Sequence, residues 1–328
     1  ARGGKYFLGG KYVKGLERRF YNYFKVKYVV SFNSASTALQ AAVGALGIGP
    51  GDEVITSPYT MSATATAVLL NNALPVFADI KEDDFCLDHK SIEKLINKNT
   101  KAILAVNLFG RSADYDSILT IAKKYNLKVI EDNAQSPGAT YKGKFAGTIG
   151  DIGIFSLNFH KTIQSGEGGL LVTNNKKYAF RAQLIRNHGE VVMDDYKNIY
   201  EPIIGNNYRL TEIQAAIAIE QLKKLKKLNQ IRITLADYLT KKLKKFDWLI
   251  PVNISKTDKN VYYVYPIRFL VQKIGIGRAV FVKAMKAEGF EFNEGYQKPL
   301  YLLPIYQKKE IYPNSRFPFI SKEYPHNI

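Results

Sequence analysis

The sequence predicts an α/β protein: a mostly parallel central sheet flanked by helices, followed by a smaller α+β C-terminal domain that looks truncated. Three observations carry this. Short apolar runs alternate with helix-period segments from residue 11 to residue 187. The strand runs are continuously apolar, as strands covered on both faces should be. With 328 residues and 46% hydrophobic content, the chain can fill one large core and a second, smaller one. We expect a large domain over residues 1–228 and a small, incomplete one over 229–328.

Along the chain, Val13, Leu16, Phe20 and Phe24 recur at helical spacing, so 11–24 should be a helix. A strand over 28–32 leads through Asn33-Ser34-Ala35-Ser36 into an alanine-rich helix ending near Leu46. Further strands are expected over 53–56, 74–78, 102–106, 128–131 and 152–155. Helices should lie between them, through Ala63 and over 89–97 and 114–125. A helix over 176–187 and a loop over 190–204 follow. Thr211 and Glu212 stand near the start of a long helix, whose successor should run to about Lys245. Beyond that, 261–269 alternates like a strand, 278–288 reads as a helix, and 296–306 as a loop with two prolines.

The net charge is +18, mostly from lysine. Such a balance suits an anionic ligand, but it describes lysine-rich helix faces equally well. Leucines interrupt the two densest lysine runs at helical spacing, and no aromatics interleave with them, so a nucleic-acid partner is not expected. The single cysteine, Cys86, excludes a disulfide framework and suits a reducing, cytoplasmic setting. No run approaches 18 apolar residues, and no membrane association is expected. The first residues do not read as a signal peptide, and both ends of the sequence read as truncated. No His/Cys spacing suggests a metal site.

The chemistry concentrates between Val129 and Thr173. One strand ends in Glu131-Asp132; another runs into Ser156, then Lys161, then Gly166-Glu167-Gly168-Gly169. An acid and a lysine at neighbouring strand ends suit a basic heterocycle carrying an aldehyde, which is what pyridoxal phosphate is. Such a cofactor needs a lysine for its aldehyde, a carboxylate for its pyridine nitrogen, an anion cradle for its phosphate and a cover for its ring. Lys161, Asp132, and the set Ala35, Ser36 and Ser156 are the candidates for the first three, and Gln135 could reach the ring hydroxyl. Each residue also has an ordinary reading: a solvated lysine, a helix-capping aspartate, a serine N-cap or a turn serine. His160, beside Lys161, could be a base, a stacking group or a packed residue.

At these residues the chain resembles a known family. Residues 131–136, 155–163 and 166–169 are similar to the DegT/DnrJ/EryC1/StrS aminotransferases, pyridoxal-phosphate enzymes of the aspartate-aminotransferase-like fold type I. Further blocks at 33–39, 56–64, 75–79, 107–110, 186–189, 205–209 and 295–301 follow in family order. The resemblance implies an enzyme that transfers an amino group from glutamate to a nucleotide-linked keto-sugar, for amino-sugar or surface-polysaccharide biosynthesis. It implies that Lys161 takes the aldehyde and shuttles protons, that Asp132 pairs with the ring nitrogen, and that Gln135 meets the ring hydroxyl. Ala35, Ser36 and Ser156 would bind the phosphate. Asn207 would reach the phosphate in the other subunit of a homodimer with shared sites. Met61 stands where the family usually stacks an aromatic ring; its polarizable sulfur can cover a π face. Arg186, His188 and Tyr296 are expected substrate contacts. Relatives that dehydrate sugars carry a histidine in place of the lysine, and five residues on from Ser156 the chain has Lys161. A non-catalytic regulator on the same fold is the remaining alternative.

Overall fold

A computed structural model describes residues 9–190, 201–252 and 254–323; residues 191–200, inside the loop expected over 190–204, lie outside the described residues. The strands of the main sheet are β1 (Tyr28–Phe32), β2 (Glu53–Thr56), β3 (Leu74–Phe77), β4 (Thr100–Val106), β5 (Lys128–Asp132), β8 (Ile152–Ser156) and β9 (Gly169–Thr173). A short hairpin, β6 (Thr140–Tyr141) and β7 (Lys144–Phe145), lies between β5 and β8. The sheet order is β1-β9-β8-β5-β4-β2-β3. Five neighbours from β8 to β3 run parallel, and β9 is antiparallel to both β1 and β8.

Alternation along each strand feeds two different cores. Val54, Leu104, Ile130, Ile154 and Leu171 point to one face, where α2 (Ala35–Ala45) and α6 (Lys176–Arg186) cover them. Ile55, Ile103 and Val129 point the other way, beneath α4 (His89–Leu95) and α5 (Tyr115–Lys124). Phe155, Leu170 and Val172 share that second side with α1 (Lys11–Phe24) and α7 (Glu212–Leu243). The continuous apolar runs follow from this, since neither face of a strand meets water.

α7 is one helix of 32 residues where two were expected, and it runs through the position that divides 1–228 from 229–328. Thr211 caps it, and the Gln214 side chain reciprocates. Its first residue does a second job. The Glu212 carboxylate accepts the backbone N–H groups of Gly10 (3.0 Å), Tyr12 (2.9 Å) and Val13 (2.9 Å), closing the N-terminus of α1. A negative charge there also meets the positive end of the α1 dipole.

The last third holds a two-stranded sheet of β10 (Leu249–Pro251) and β11 (Ile267–Phe269), with α9 (Arg278–Ala287) nearby in sequence between the short helices α8 (Val271–Ile274) and α10 (Pro304–Lys308). The strand expected over 261–269 is therefore confined to its last three residues. The stretch before it is pinned to the large sheet's loops. Lys259 exchanges backbone hydrogen bonds with Thr140, and Val261 N–H donates to Gly110 O at 2.7 Å. The alternating aromatics mark these anchor points, and Pro266 brings no backbone N–H to a ladder.

Glu131 fixes the loop between β7 and β8. Its buried carboxylate accepts the N–H groups of Gly147 (2.6 Å), Gly150 (2.6 Å) and Ile149. Gly153 on β8 leaves room for this loop, because a Cβ there would lie 1.8 Å from Gly147 O. Burial raises the carboxyl's pKa while the three N–H groups oppose the rise. Glu131→Ala would strand these donors, and we expect a loss of about 3 kcal/mol in unfolding free energy, measured by denaturant titration.

Candidate active site

Asp132 and Glu131 are sequence neighbours at the end of β5, so they face opposite sides of the sheet. Asp132 faces the side of α2 and α3 (Ala63–Leu69). It is 5% exposed. Thr64 Oγ1 donates to its Oδ2 at 2.8 Å, and Ala134 N–H donates to Oδ1 at 3.2 Å. Burial pushes the carboxyl upward; the Thr64 and Ala134 hydrogen bonds and the nearby Lys161 ammonium hold it back.

Lys161 lies in the turn after β8. The turn is closed by backbone bonds from Leu157 N–H to Gly168 O and from Ser165 N–H to Leu157 O. Lys161 N–H donates to Asn158 O at 2.9 Å. Burial lowers the amine's pKa, and the Asp132 charge opposes that. On its other side, Nζ lies 4.7 Å from the centroid of the Tyr263 ring. His160 is exposed, with its ring against Phe159 at 3.7 Å between centroids. In this turn it is Lys161, and not His160, that meets the acid.

The N-terminus of α2 completes a third side. Ser34 caps it, its Oγ accepting Thr37 N–H at 3.2 Å. The Ser34–Ala35 peptide sits directly on Gly169, where a Cβ would fall 2.4 Å from Ser34 O and 2.5 Å from Ala35 N. Gly169 pairs with Phe32 on one side and Ser156 on the other. One glycine thus brings the start of an 11-residue helix, with half-buried Ala35 and exposed Ser36, beside the Ser156 hydroxyl. Backbone N–H groups at such a start favour an anion. Asn207 is exposed and lies against the same loop of its own chain: its backbone oxygen is 3.5 Å from Asn33 Nδ2, and Tyr208 O accepts Asn33 N–H.

Aromatic residues form the remaining wall. Gln135 Oε1 accepts Phe109 N–H at 2.8 Å, and its Nε2 donates to Tyr296 Oη at 2.8 Å. The Tyr59 and Phe109 rings meet Tyr296 edge-on, at 5.8 and 5.2 Å. Burial first, then Tyr263 and Asp132, pushes the Tyr296 hydroxyl up to about 12. A ligand meeting Gln135 therefore meets it joined to Tyr296. Met61 is 52% exposed on the loop entering α3.

The structure brings Asp132, Lys161, Gln135 and Tyr296 together, and sets Ala35, Ser36 and Ser156 around Gly169. Arg186 is 4% exposed, and its Nη1 donates to Glu17 at 3.1 Å and to Ser31 O at 3.2 Å. A guanidinium so held ties α1 and β1 to α6. His188 is exposed with φ +62°, and its N–H donates to Asn206 O. Three residues escaped the sequence reading. Thr64 orients Asp132, Tyr263 covers Lys161, and Arg232 donates to the Tyr262 and Tyr263 carbonyls at 3.0 and 3.2 Å. Only Thr64 fell inside a block already singled out, 56–64.

These residues fit pyridoxal phosphate. A buried acid lies near a half-buried amine, and the start of α2, where backbone N–H groups favour an anion, is seated on Gly169 so closely that a Cβ there would collide with it. The sequence pattern of the DegT/DnrJ/EryC1/StrS aminotransferase family matches residues 1–327. The GDP-perosamine synthase of Caulobacter vibrioides is 37% identical over 298 residues, covering 90% of this chain and 79% of that protein. Helicobacter pylori PseC, an aminotransferase involved in pseudaminic acid biosynthesis, superposes with a TM-score of 0.82 at 32% identity, covering 91% of this chain and 80% of PseC. The E. coli GDP-4-keto-6-deoxy-D-mannose-3-dehydratase with bound hydrated PLP does so at 0.78 and 30%, covering 86% and 77%. The fold is that of the type I pyridoxal-phosphate aminotransferases, and pyridoxal phosphate is the cofactor. The chain belongs to the DegT/DnrJ/EryC1/StrS aminotransferase family.

Proposed function

We propose that this aminotransferase moves an amino group from glutamate to a nucleotide-linked keto-sugar, for amino-sugar and surface-polysaccharide biosynthesis. The observation that carries the reading is the half-buried Lys161 amine within the field of the buried Asp132 carboxylate, beside the start of α2 seated on Gly169. When bound, pyridoxal phosphate supplies an aldehyde that condenses with amines and a ring that takes up electrons. Asp132, oriented by Thr64, would hold a proton at the ring nitrogen. Lys161, its amine brought toward neutrality by burial, would accept and return a proton at the substrate's reacting carbon. The N–H groups of Ala35 and Ser36, with the Ser156 hydroxyl, would hold the phosphate. Gln135, joined to Tyr296, would meet the ring hydroxyl, and Met61 would cover the ring.

A cytoplasmic homodimer with shared sites belongs to this reading, with Asn207 turned toward the partner subunit. So does a division into a large lobe, 1–228, and a small one, 229–328. The lysine at the proton-transfer position supports transamination over sugar dehydration, whose enzymes use histidine there. His188, on the exposed turn beside Asn207, is kept in this reading as a substrate contact. Among the described residues no helix is long and apolar enough to cross a membrane.

Three outcomes are expected. Incubation with glutamate releases 2-oxoglutarate and leaves pyridoxamine phosphate, and a panel of nucleoside-diphosphate keto-sugars yields an aminated product detected by mass spectrometry. A product that has lost oxygen without gaining nitrogen would support the dehydratase reading instead. Lys161→Ala lowers 2-oxoglutarate formation by about 10²- to 10⁴-fold, followed with a coupled assay. Gly169→Ala pushes the Ser34–Ala35 peptide off the sheet and weakens pyridoxal phosphate binding by about tenfold or more, followed by fluorescence titration.

A further inference from the structure

The Lys161 amine has two neighbours of opposite kind. Asp132 on β5 supplies a negative charge from beneath. The face of Tyr263 supplies a ring quadrupole from a segment that comes more than 100 residues later, with Nζ 4.7 Å from the ring centroid. That segment is held from two directions. Arg232, on α7, donates to the Tyr262 and Tyr263 carbonyls. Gly110, at φ +99°, leaves the backbone N atoms of Tyr262 and Tyr263 just 2.5 Å from where its Cβ would be. Tyr262 itself takes a positive φ of 50°, a strained turn for a non-glycine residue. Two anchors and a strained turn all serve to place the next ring, which is more than a surface tyrosine needs.

A ring face attracts a cation much more strongly than a neutral amine, whose N–H contacts with it are weak. It therefore acts on one protonation state of Lys161. We propose that Tyr263 is a positioning residue for Lys161, its ring face holding the ammonium form against Asp132 until the cofactor's aldehyde displaces it. The inference rests on the reading of Lys161 as the amine that takes the aldehyde. Around Nζ the charged and titratable groups are Asp132 and Tyr263, with Tyr296 next to both and Arg232 behind the Tyr263 backbone. Burial and the ring pull the amine in opposite directions: burial favours the neutral form, the ring and Asp132 the charged one. A saturated side chain of similar size in place of the ring would keep the burial and remove the attraction. Lys161 would then be neutral, and reactive, at a lower pH.

The test uses the full chain freed of cofactor. Competitive acetylation with acetic anhydride is followed across pH by peptide mass spectrometry, with exposed lysines in the same sample as internal references. Tyr263→Phe keeps the ring and should follow the unsubstituted protein. Tyr263→Leu should raise the Lys161 acetylation rate at neutral pH by about 2- to 10-fold. Tyr263→Trp, with the stronger ring face, should lower it, which keeps the proposal testable if the Leu variant folds poorly. Equal rates in the Phe, Leu and Trp proteins, or a Phe protein that behaves like Leu, would overturn the role of the ring. A separate arm adds pyridoxal phosphate and borohydride to the unsubstituted protein and maps the tagged lysine. A tag elsewhere than Lys161 defeats the underlying reading, whatever the acetylation profiles show.

Discussion

The Glu131 carboxylate, buried inside the sheet and filled by three backbone N–H groups, fixes the geometry on which the site depends. It locks the loop that enters β8, and so locks β8 against β5. With Glu131 committed to one face, alternation leaves Asp132 no choice but the other. A slip of one residue would exchange the two acids, exposing one core to a charge it could not satisfy and leaving the cleft without its carboxylate. The register of β5 is thus defended by hydrogen bonds as well as by its apolar side chains.

On the cleft side, burial acts on Asp132 and Lys161 in opposite senses, raising one pKa and lowering the other. Each charge eases the other's desolvation. Thr64 fixes the acid, and Tyr263 with the turn 157–168 fixes the amine. The dipoles of the site are in place before any ligand arrives, which is the condition under which fixed polar groups act most strongly on a reaction.

Much of this was legible in the sequence because it is local. The continuous apolar runs of β4, β5 and β8, the Ser34 cap and the five-residue step from Ser156 to Lys161 are short-range signals, and the structure keeps them. What was not legible depends on distant partners. Arg186 was expected to meet the substrate, and nothing near it in the sequence shows that Glu17, 169 residues away, accepts its Nη1 donor. The aromatic stretch 261–269 had strand-like alternation, but its backbone groups answer to Gly110, Thr140 and Arg232. Tyr263 is invisible until that loop is placed, since Lys161 stands more than 100 residues before it and Arg232 31 residues before it.

The contact between Glu212 and the start of α1 has a consequence for how the chain is made. On a ribosome, Gly10, Tyr12 and Val13 emerge about 200 residues before the carboxylate that will accept their N–H groups. Through most of synthesis α1 is a helix without its cap, and the aromatic face it shares with α7 is open. α1 is therefore translated long before its N-terminus is secured. Until then its apolar face is one that a chaperone holding the nascent chain would have to shield.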